Sequence, residues 1–226
     1  MAAANARVGA DAVRVIILGA PGAGKGTQAA RLAAHLGVPK ISTGEMLRTA
    51  VAKKTPLGEK VHPVMEKGNL VPDELLVALV RERIAEPDCD RGFVLDGFPR
   101  TLPQALGLEE MSERPRAWVV FDFEVPREEL MKRLSGRRWC PTCQATFHLL
   151  NNPPRREGTC DECGTRLIQR EDDHESVVAQ RLHEYDESTF PLIEYYRTRA
   201  RMIPIDANRP MDVVFGDLLL AIEVRA

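Results

Sequence analysis

The chain predicts an α/β protein, a parallel sheet covered on both faces by helices, and three observations carry this. Short apolar, β-branched runs recur at 13–18, 92–96, 118–123 and 201–206. Continuous apolar runs of this kind are those of strands buried on both sides. Segments with apolar residues at helical spacing separate them, at 25–36, 73–84, 127–134, 175–199 and 211–224. Such alternation sets the strands parallel and returns the chain over the sheet through the helices. Two stretches, 43–72 and 137–171, fall outside the alternation and read as insertions. The first looks like short helices, and the second is rich in Pro, Asn, Arg and Cys without helical period.

At 226 residues the chain suffices for one large domain or one domain with insertions. Its 44% hydrophobic and 28% charged residues are ordinary for a soluble protein. A net charge of −2 gives no field to attract nucleic acid or acidic membranes wholesale, so a bound anion must be held locally. The N-terminal MAAANARVGADAVR lacks a basic start followed by a signal-length apolar stretch, and no later run approaches the ~18 residues of a membrane span. A cytoplasmic protein with residues 1–12 frayed is expected. In that compartment paired cysteines are more often metal ligands or redox centres than disulfides.

The run at 13–18 stops at Gly19-Ala20-Pro21-Gly22-Ala23-Gly24-Lys25-Gly26-Thr27, which leads into the helix at 25–36. Glycines let backbone N–H groups converge on phosphate oxygens, the helix N-terminus adds its positive dipole end, and Lys25 supplies a full charge. The pattern is G-x-x-x-x-G-K, with Gly26 where a Ser or Thr usually meets Mg²⁺ and Thr27 one place later. Mg²⁺ is therefore expected to be held mainly by phosphates and water. A ligand-free glycine turn is the alternative, opposed by the strand before, the helix after and the lysine.

Ser42 and Thr43 begin the first insertion with a hydroxyl cap and place Arg48 a turn later. The run at 92–96 ends in Asp96, followed by Gly97 and Arg100. Carboxyl ends of strands are where open α/β sheets bind ligands; the alternative for Asp96 is a turn former before Gly97. Arg133, Arg137 and Arg138 flank the start of the second insertion, Arg170 lies at its end, and Arg181 follows. Each alone reads as a solvated surface residue. Together, beside the loop and the insertion boundaries, they read as the cations that phosphoryl transfer requires.

GAPGAGKGTQ, ISTGEMLR, LVPDELLVALV, FVLDGFPRT, LSGRR and QREDD followed by QRL come in order over about 14–206. In these motifs the chain resembles adenylate kinase of the long-lid type. The resemblance implies a five-stranded parallel sheet of the P-loop nucleoside monophosphate kinase kind. It divides the chain into a core of 1–42, 73–136 and 172–226, an AMP-binding insert at 43–72 and a lid at 137–171. It further implies reversible phosphoryl transfer, ATP + AMP = 2 ADP, with Mg²⁺, by a monomer. Gly22, Ala23, Gly24, Lys25, Gly26 and Thr27 would hold the ATP phosphates, joined by Arg133, Arg137, Arg170 and Arg181 as the lid shuts. Arg48 and Arg100 would hold the AMP phosphate, and Thr43, Val71, Gly97 and Gln104 the rest of AMP, with Arg170 and Arg181 bordering both. Lys25, Asp96, Arg100, Arg133, Arg137, Arg170 and Arg181 form the expected catalytic set, Asp96 ordering Mg²⁺ through its water shell.

Cys140, Cys143, Cys160 and Cys163 are two Cys-x-x-Cys pairs sixteen residues apart. Four thiolates close a tetrahedral zinc site with no open position, which makes the metal structural. A 35-residue lid is too small to bury a core, so Zn²⁺ would hold its shape. Two disulfides or a single iron are the alternatives. Cys89 is expected to be inert, and His148 a surface or packing residue of the lid.

A GTP:AMP phosphotransferase is the near rival, separated by donor preference, whereas UMP and CMP kinases resemble the short-lid form. The rival from another class is a zinc-ribbon nucleic-acid module, for which Arg155, Arg156 and Arg166 supply charge. An aromatic share of 5% leaves it few stacking platforms, and no nucleic-acid or membrane partner is expected.

Overall fold

The computed structural model of the chain describes residues 13–111 and 118–223. The frayed segment expected at 1–12 and the last residue of the helix expected at 211–224 lie outside them. The first half runs β1 (Val13–Gly19), α1 (Lys25–Leu36), β2 (Lys40–Ser42), α2 (Thr43–Ala52), α3 (Pro56–Glu66), α4 (Asp73–Ile84), β3 (Gly92–Asp96) and α5 (Leu102–Glu110). The second half runs β4 (Trp118–Glu124), α6 (Arg127–Ser135), β5 (Arg137–Trp139), β6 (Thr146–His148), α7 (Glu175–Glu184), α8 (Pro191–Arg199), β7 (Arg201–Asp206) and α9 (Met211–Glu223).

Five strands form one sheet in the order β2-β3-β1-β4-β7, every pair parallel. Val15 lies between Val94 and Val119, and Ile16 between Leu95 and Val120, so apolar side chains run in rows across both faces. One face carries Ile16, Leu95, Trp118 and Val120 under α2, α3, α4, α5 and α8. The other carries Val15, Ile17, Val94 and Phe121 under α1, α6, α7 and α9. This double burial is why the strands read as uninterrupted apolar runs. Parallel strands also end on one edge. Gly19, Ser42, Asp96 and Asp206 therefore deliver the loops after them to one side of the molecule, beside the switch in strand order next to β1.

Residues 137–171 hold β5 and β6, an antiparallel pair outside the main sheet. Their own small core is Cys140, Phe147, Cys160 and Leu167. The chain enters and leaves this region side by side: Trp139 N donates to Ile168 O at 2.8 Å and Ile168 N to Trp139 O at 2.9 Å.

Two expectations are corrected, and one further helix is found. The helix expected across 175–199 is divided: α7 ends at Glu184, a π turn spans Tyr185–Thr189, and α8 begins at Pro191. Pro191 lacks the N–H that would continue the ladder and its ring crowds the preceding turn, so the helix widens there. Ser42 occupies the N-cap of α2 with extended backbone but makes no side-chain capping bond. The neighbouring hydroxyl is used elsewhere, Thr43 Oγ1 donating to Gly97 O at 2.9 Å. Finally, α5 was not apparent from apolar spacing. Its N-cap is Thr101, whose Oγ1 accepts from Gln104 N at 3.3 Å.

Candidate active site

The loop between β1 and α1 is shaped by glycines where the backbone turns left-handed. Gly22 has φ 88° and Gly24 φ 90°, values that other residues reach only with strain. At Gly24, the N-cap of α1, no atom lies within 4 Å of where a Cβ would stand, so the helix N-terminus faces open space. Lys25 Nζ folds back over the loop and donates to Gly19 O at 2.7 Å and Ala20 O at 2.8 Å. A Cβ at Gly26 would stand 3.2 Å from Asp96 Oδ2, so the Asp96 carboxylate already fills the space of the side chain usual there.

Two cavities meet at this loop. The larger, about 750 Å³, is lined by Gly22, Ala23, Gly24, Lys25, Gly26, Thr27, Asp96, Arg133 and Arg137, by Trp139, His148 and Asn152 of the 137–171 region, and by the turn Ala207–Met211 before α9. The smaller, about 120 Å³, is lined by Thr43, Leu47, Met65, Val71, Leu76, Tyr185 and Thr189 among others. Lys25, Arg48, Gly97, Arg100, Arg170 and Arg181 line both. The larger falls in the usual range of roughly 300–1,000 Å³ for small-molecule sites.

The cations between the cavities are short of counter-charge. Burial lowers the pKa of Lys25 to about 7 against the pull of Asp96, and Arg100, Arg181 and Arg137 lower it further. Burial and then Arg170 lower Arg48 to about 9, and the same two causes lower Arg137 to about 10. Asp173, its side chain fully buried, accepts from Arg137 Nε at 2.6 Å and from Arg181 Nη1 at 2.9 Å. Asp172 pairs with Arg170 and lies 3.2 Å from Arg181. Burial pushes the Asp172 carboxyl up, yet Arg181 and Arg170 hold it well below the usual carboxylate range. The arrangement is preorganised for polyanions, which would supply the missing negative charge.

The remaining expected residues are placed as follows. Arg133 lines the larger cavity, its Nη1 on Ala207 O at 3.0 Å and its Nη2 on Asn208 Oδ1 at 3.1 Å. Gln104 lines neither cavity. It is fully buried, accepts from Arg100 N at 2.8 Å through Oε1 and donates to Asp73 Oδ1 at 2.7 Å through Nε2. Cys89 is buried, and burial raises its thiol to about 11, which leaves it unreactive at neutral pH. Trp139, Asn208, Asp172 and Asp173 were not anticipated as parts of the site.

The 137–171 region reaches the first insertion directly. Gln144 Nε2 donates to Thr49 Oγ1 on α2 at 3.0 Å, and the Arg48 guanidinium lies 5.9 Å from the Trp139 ring centroid. Its base is tightly fitted. His148 Nδ1 accepts from Leu150 N and Asn151 N, both at 3.0 Å, which leaves Nε2 pointing at Gly136, where a Cβ would stand 2.3 Å away. Gly136→Ala is therefore expected to destabilise the protein by about 1–3 kcal/mol, and His148→Ala in the same chain to recover most of that loss. Thermal melting of the single and double variants measures this.

Cys140 and Cys163 sulfurs lie 3.4 Å apart, as do those of Cys143 and Cys160, and all four lie within 4.8 Å of one another. A tetrahedral tetrathiolate zinc site, with bonds of about 2.3 Å, sets its sulfurs roughly 3.8 Å apart, so the cluster fits such an ion. Each pair sits on the same turn. Gln144 N donates to Cys140 O and Gly164 N to Cys160 O, with Gln144 and Gly164 both left-handed at φ 65° and φ 74°.

A phosphate loop facing a second anion pocket across a shared row of cations defines a nucleoside monophosphate kinase. The sequence comparisons agree. Residues 17–201 match the family described as Adenylate kinase. The chain is 46% identical to an adenylate kinase of Archaeoglobus fulgidus over 213 residues, 93% of this chain and 98% of that protein. It is 48% identical to one of Syntrophobacter fumaroxidans over 206 residues, 90% of this chain and 97% of that protein. To one of Carboxydothermus hydrogenoformans it is 46% identical over 213 residues, 93% of this chain and 100% of that protein. The chain belongs to the adenylate kinase family. Membership carries the family's activity, reversible phosphoryl transfer between ATP and AMP to give two ADP.

Proposed function

We propose that ATP occupies the larger cavity with its phosphates on the loop from Gly22 to Thr27, that AMP occupies the smaller, and that the phosphoryl group crosses between them at Lys25, Arg100, Arg170 and Arg181. The observation that carries this reading is the set of cations lining both cavities. The second pKa of a phosphate monoester is about 6, so an AMP oxygen is already an anion at neutral pH and attacks the ATP γ-phosphorus without a general base. The residues have other work. Arg48 and Arg100 hold the AMP phosphate, and Thr43, Val71 and Gly97 border the rest of AMP. Gln104 acts through Arg100, whose backbone it anchors. Lys25, Arg137, Arg170 and Arg181 offset repulsion between the two nucleotides, and Arg133 steadies the donor side. Mg²⁺, when bound with ATP, supplies further charge neutralisation beside Asp96.

Residues 43–72 and 137–171 act as moving pieces over a core of 1–42, 73–136 and 172–226, and their closure keeps water from the γ-phosphorus. Cys140, Cys143, Cys160 and Cys163 hold a structural Zn²⁺ that makes the lid one rigid body. The enzyme works as a monomer, since one chain lines both cavities. No helix among the described residues is long and apolar enough to cross a membrane, in keeping with a cytoplasmic enzyme. ATP rather than GTP is the donor, which a coupled assay with each nucleotide decides.

Arg100→Ala tests the assignment. The AMP KM is expected to rise about 10–100-fold with the ATP KM within about threefold of wild type. An unchanged AMP KM would place the acceptor phosphate elsewhere.

A further inference from the structure

The helical rod from α7 to α8 widens for one turn at Tyr185–Thr189. A π turn is rare, adds a residue to the helix and often marks a functional site. Here Glu184, Tyr185 and Thr189 line the smaller cavity. Thr189 is 7% exposed, and its Oγ1 donates to Arg100 O at 2.9 Å, across 89 residues of chain. A helical threonine ordinarily turns its hydroxyl back onto the carbonyl of its own preceding turn. This one leaves its helix to hold another segment.

That segment is gripped at each polar group of the Arg100 backbone. The N–H donates to Gln104 Oε1, itself tied to Asp73, and the C=O accepts from Thr189. The side chain is anchored as well, Nε donating to Gly97 O at 2.8 Å, the carbonyl that also accepts from Thr43 Oγ1. A cation useful only at one spot gains from such restraint, because a misplacement of about 1 Å is costly in phosphoryl transfer.

We infer that Thr189 is a positioning residue for the acceptor nucleotide: its hydroxyl, delivered by the π turn, fixes the Arg100 backbone and through it the guanidinium that meets the AMP phosphate. The inference rests on the assignment of Arg100 to that phosphate. It gives the break in the rod a purpose on the acceptor side.

The experiment replaces the hydroxyl while keeping the branched shape. Thr189→Val is expected to raise the AMP KM about tenfold, with kcat within about threefold and the ATP KM within about twofold of wild type. Thr189→Ser, which keeps the donor, is expected to hold the AMP KM within about twofold of wild type. An unchanged AMP KM in Thr189→Val, an equal rise in both KM values, or a serine variant as impaired as the valine one would overturn the inference. Should the valine variant fold poorly, Thr189→Ala is titrated with AMP by calorimetry after its melting curve confirms a folded protein. Binding about tenfold weaker supports the inference, and unchanged binding overturns it. Arg100→Ala is measured beside these variants. If it weakens AMP and Thr189→Val does not, positioning alone fails; if it leaves AMP unaffected, the site assignment fails and takes the inference with it.

Discussion

Lys25→Met is expected to lower kcat about a thousandfold or more while the protein stays folded. Nζ is a half-buried cation over the phosphate loop, bonded to the carbonyls of Gly19 and Ala20. Methionine fills the space of its stem without the charge. Stability responds differently because the lysine is held under strain of charge. Its pKa falls to about 7 through burial, opposed by Asp96 and assisted by Arg100, Arg181 and Arg137. Between pH 7 and the unfolded value near 10.5, the unfolded chain binds more protons at this site, so stability from this group rises with pH across that window. Below pH 7 the cost is full. Methionine removes that cost and forfeits two hydrogen bonds, and these opposing changes should leave the melting temperature at pH 7 within about 5 °C of wild type. Kinetics at pH 7 with melting curves at pH 7 and 9 measure both effects. A kcat within about tenfold of wild type would remove Lys25 from the transfer site.

Loss of the four-thiolate site is expected to act on stability more than on rate. The lid's own core is only Cys140, Phe147, Cys160 and Leu167, and two of these four are proposed metal ligands. So little apolar burial leaves the segment only marginally ordered on its own, and a bound structural ion would add to that stability. Chelation, or Cys160→Ser, should lower the melting temperature by about 5–10 °C and kcat at 25 °C by less than about threefold. The backbone bonds of the two turns, from Gln144 to Cys140 and from Gly164 to Cys160, persist at moderate temperature and keep the lid near its shape. Metal content per chain and paired melting curves measure this. Superimposable curves with and without chelator would rule out a structural ion.

What was legible in the sequence was local. The phosphate loop is contiguous because backbone amides from one turn must converge on one anion, so Gly19 to Thr27 announced it. Helix α4 has the bounds expected, with Asp73 and Glu74 in its first turn and Arg81 and Arg83 in its last. Strand β2 is three residues long, too short for any period, and entered the expected five-stranded sheet through family resemblance alone. Helix α5 was hidden because Leu102 and Leu106 face solvent, 46% and 48% exposed, and blur its apolar stripe. Asp172 and Asp173 sit in QREDD among charged neighbours, a setting that gives no local sign of burial. Their burial depends on Arg137, which lies far back along the chain, and on Arg181, and nothing in QREDD itself discloses that. Thr189 was unreadable for the same reason: its partner is 89 residues away.

The paired crossing of Trp139 and Ile168 has an evolutionary corollary. Because departure and return are zipped together at one doorway, whatever hangs beyond can be lengthened, clipped or exchanged with little effect on the β-sheet beneath. A chimera splicing a foreign hairpin between these two residues should still fold as a stable platform, which makes this junction a natural place for lineages to experiment with covers of differing size.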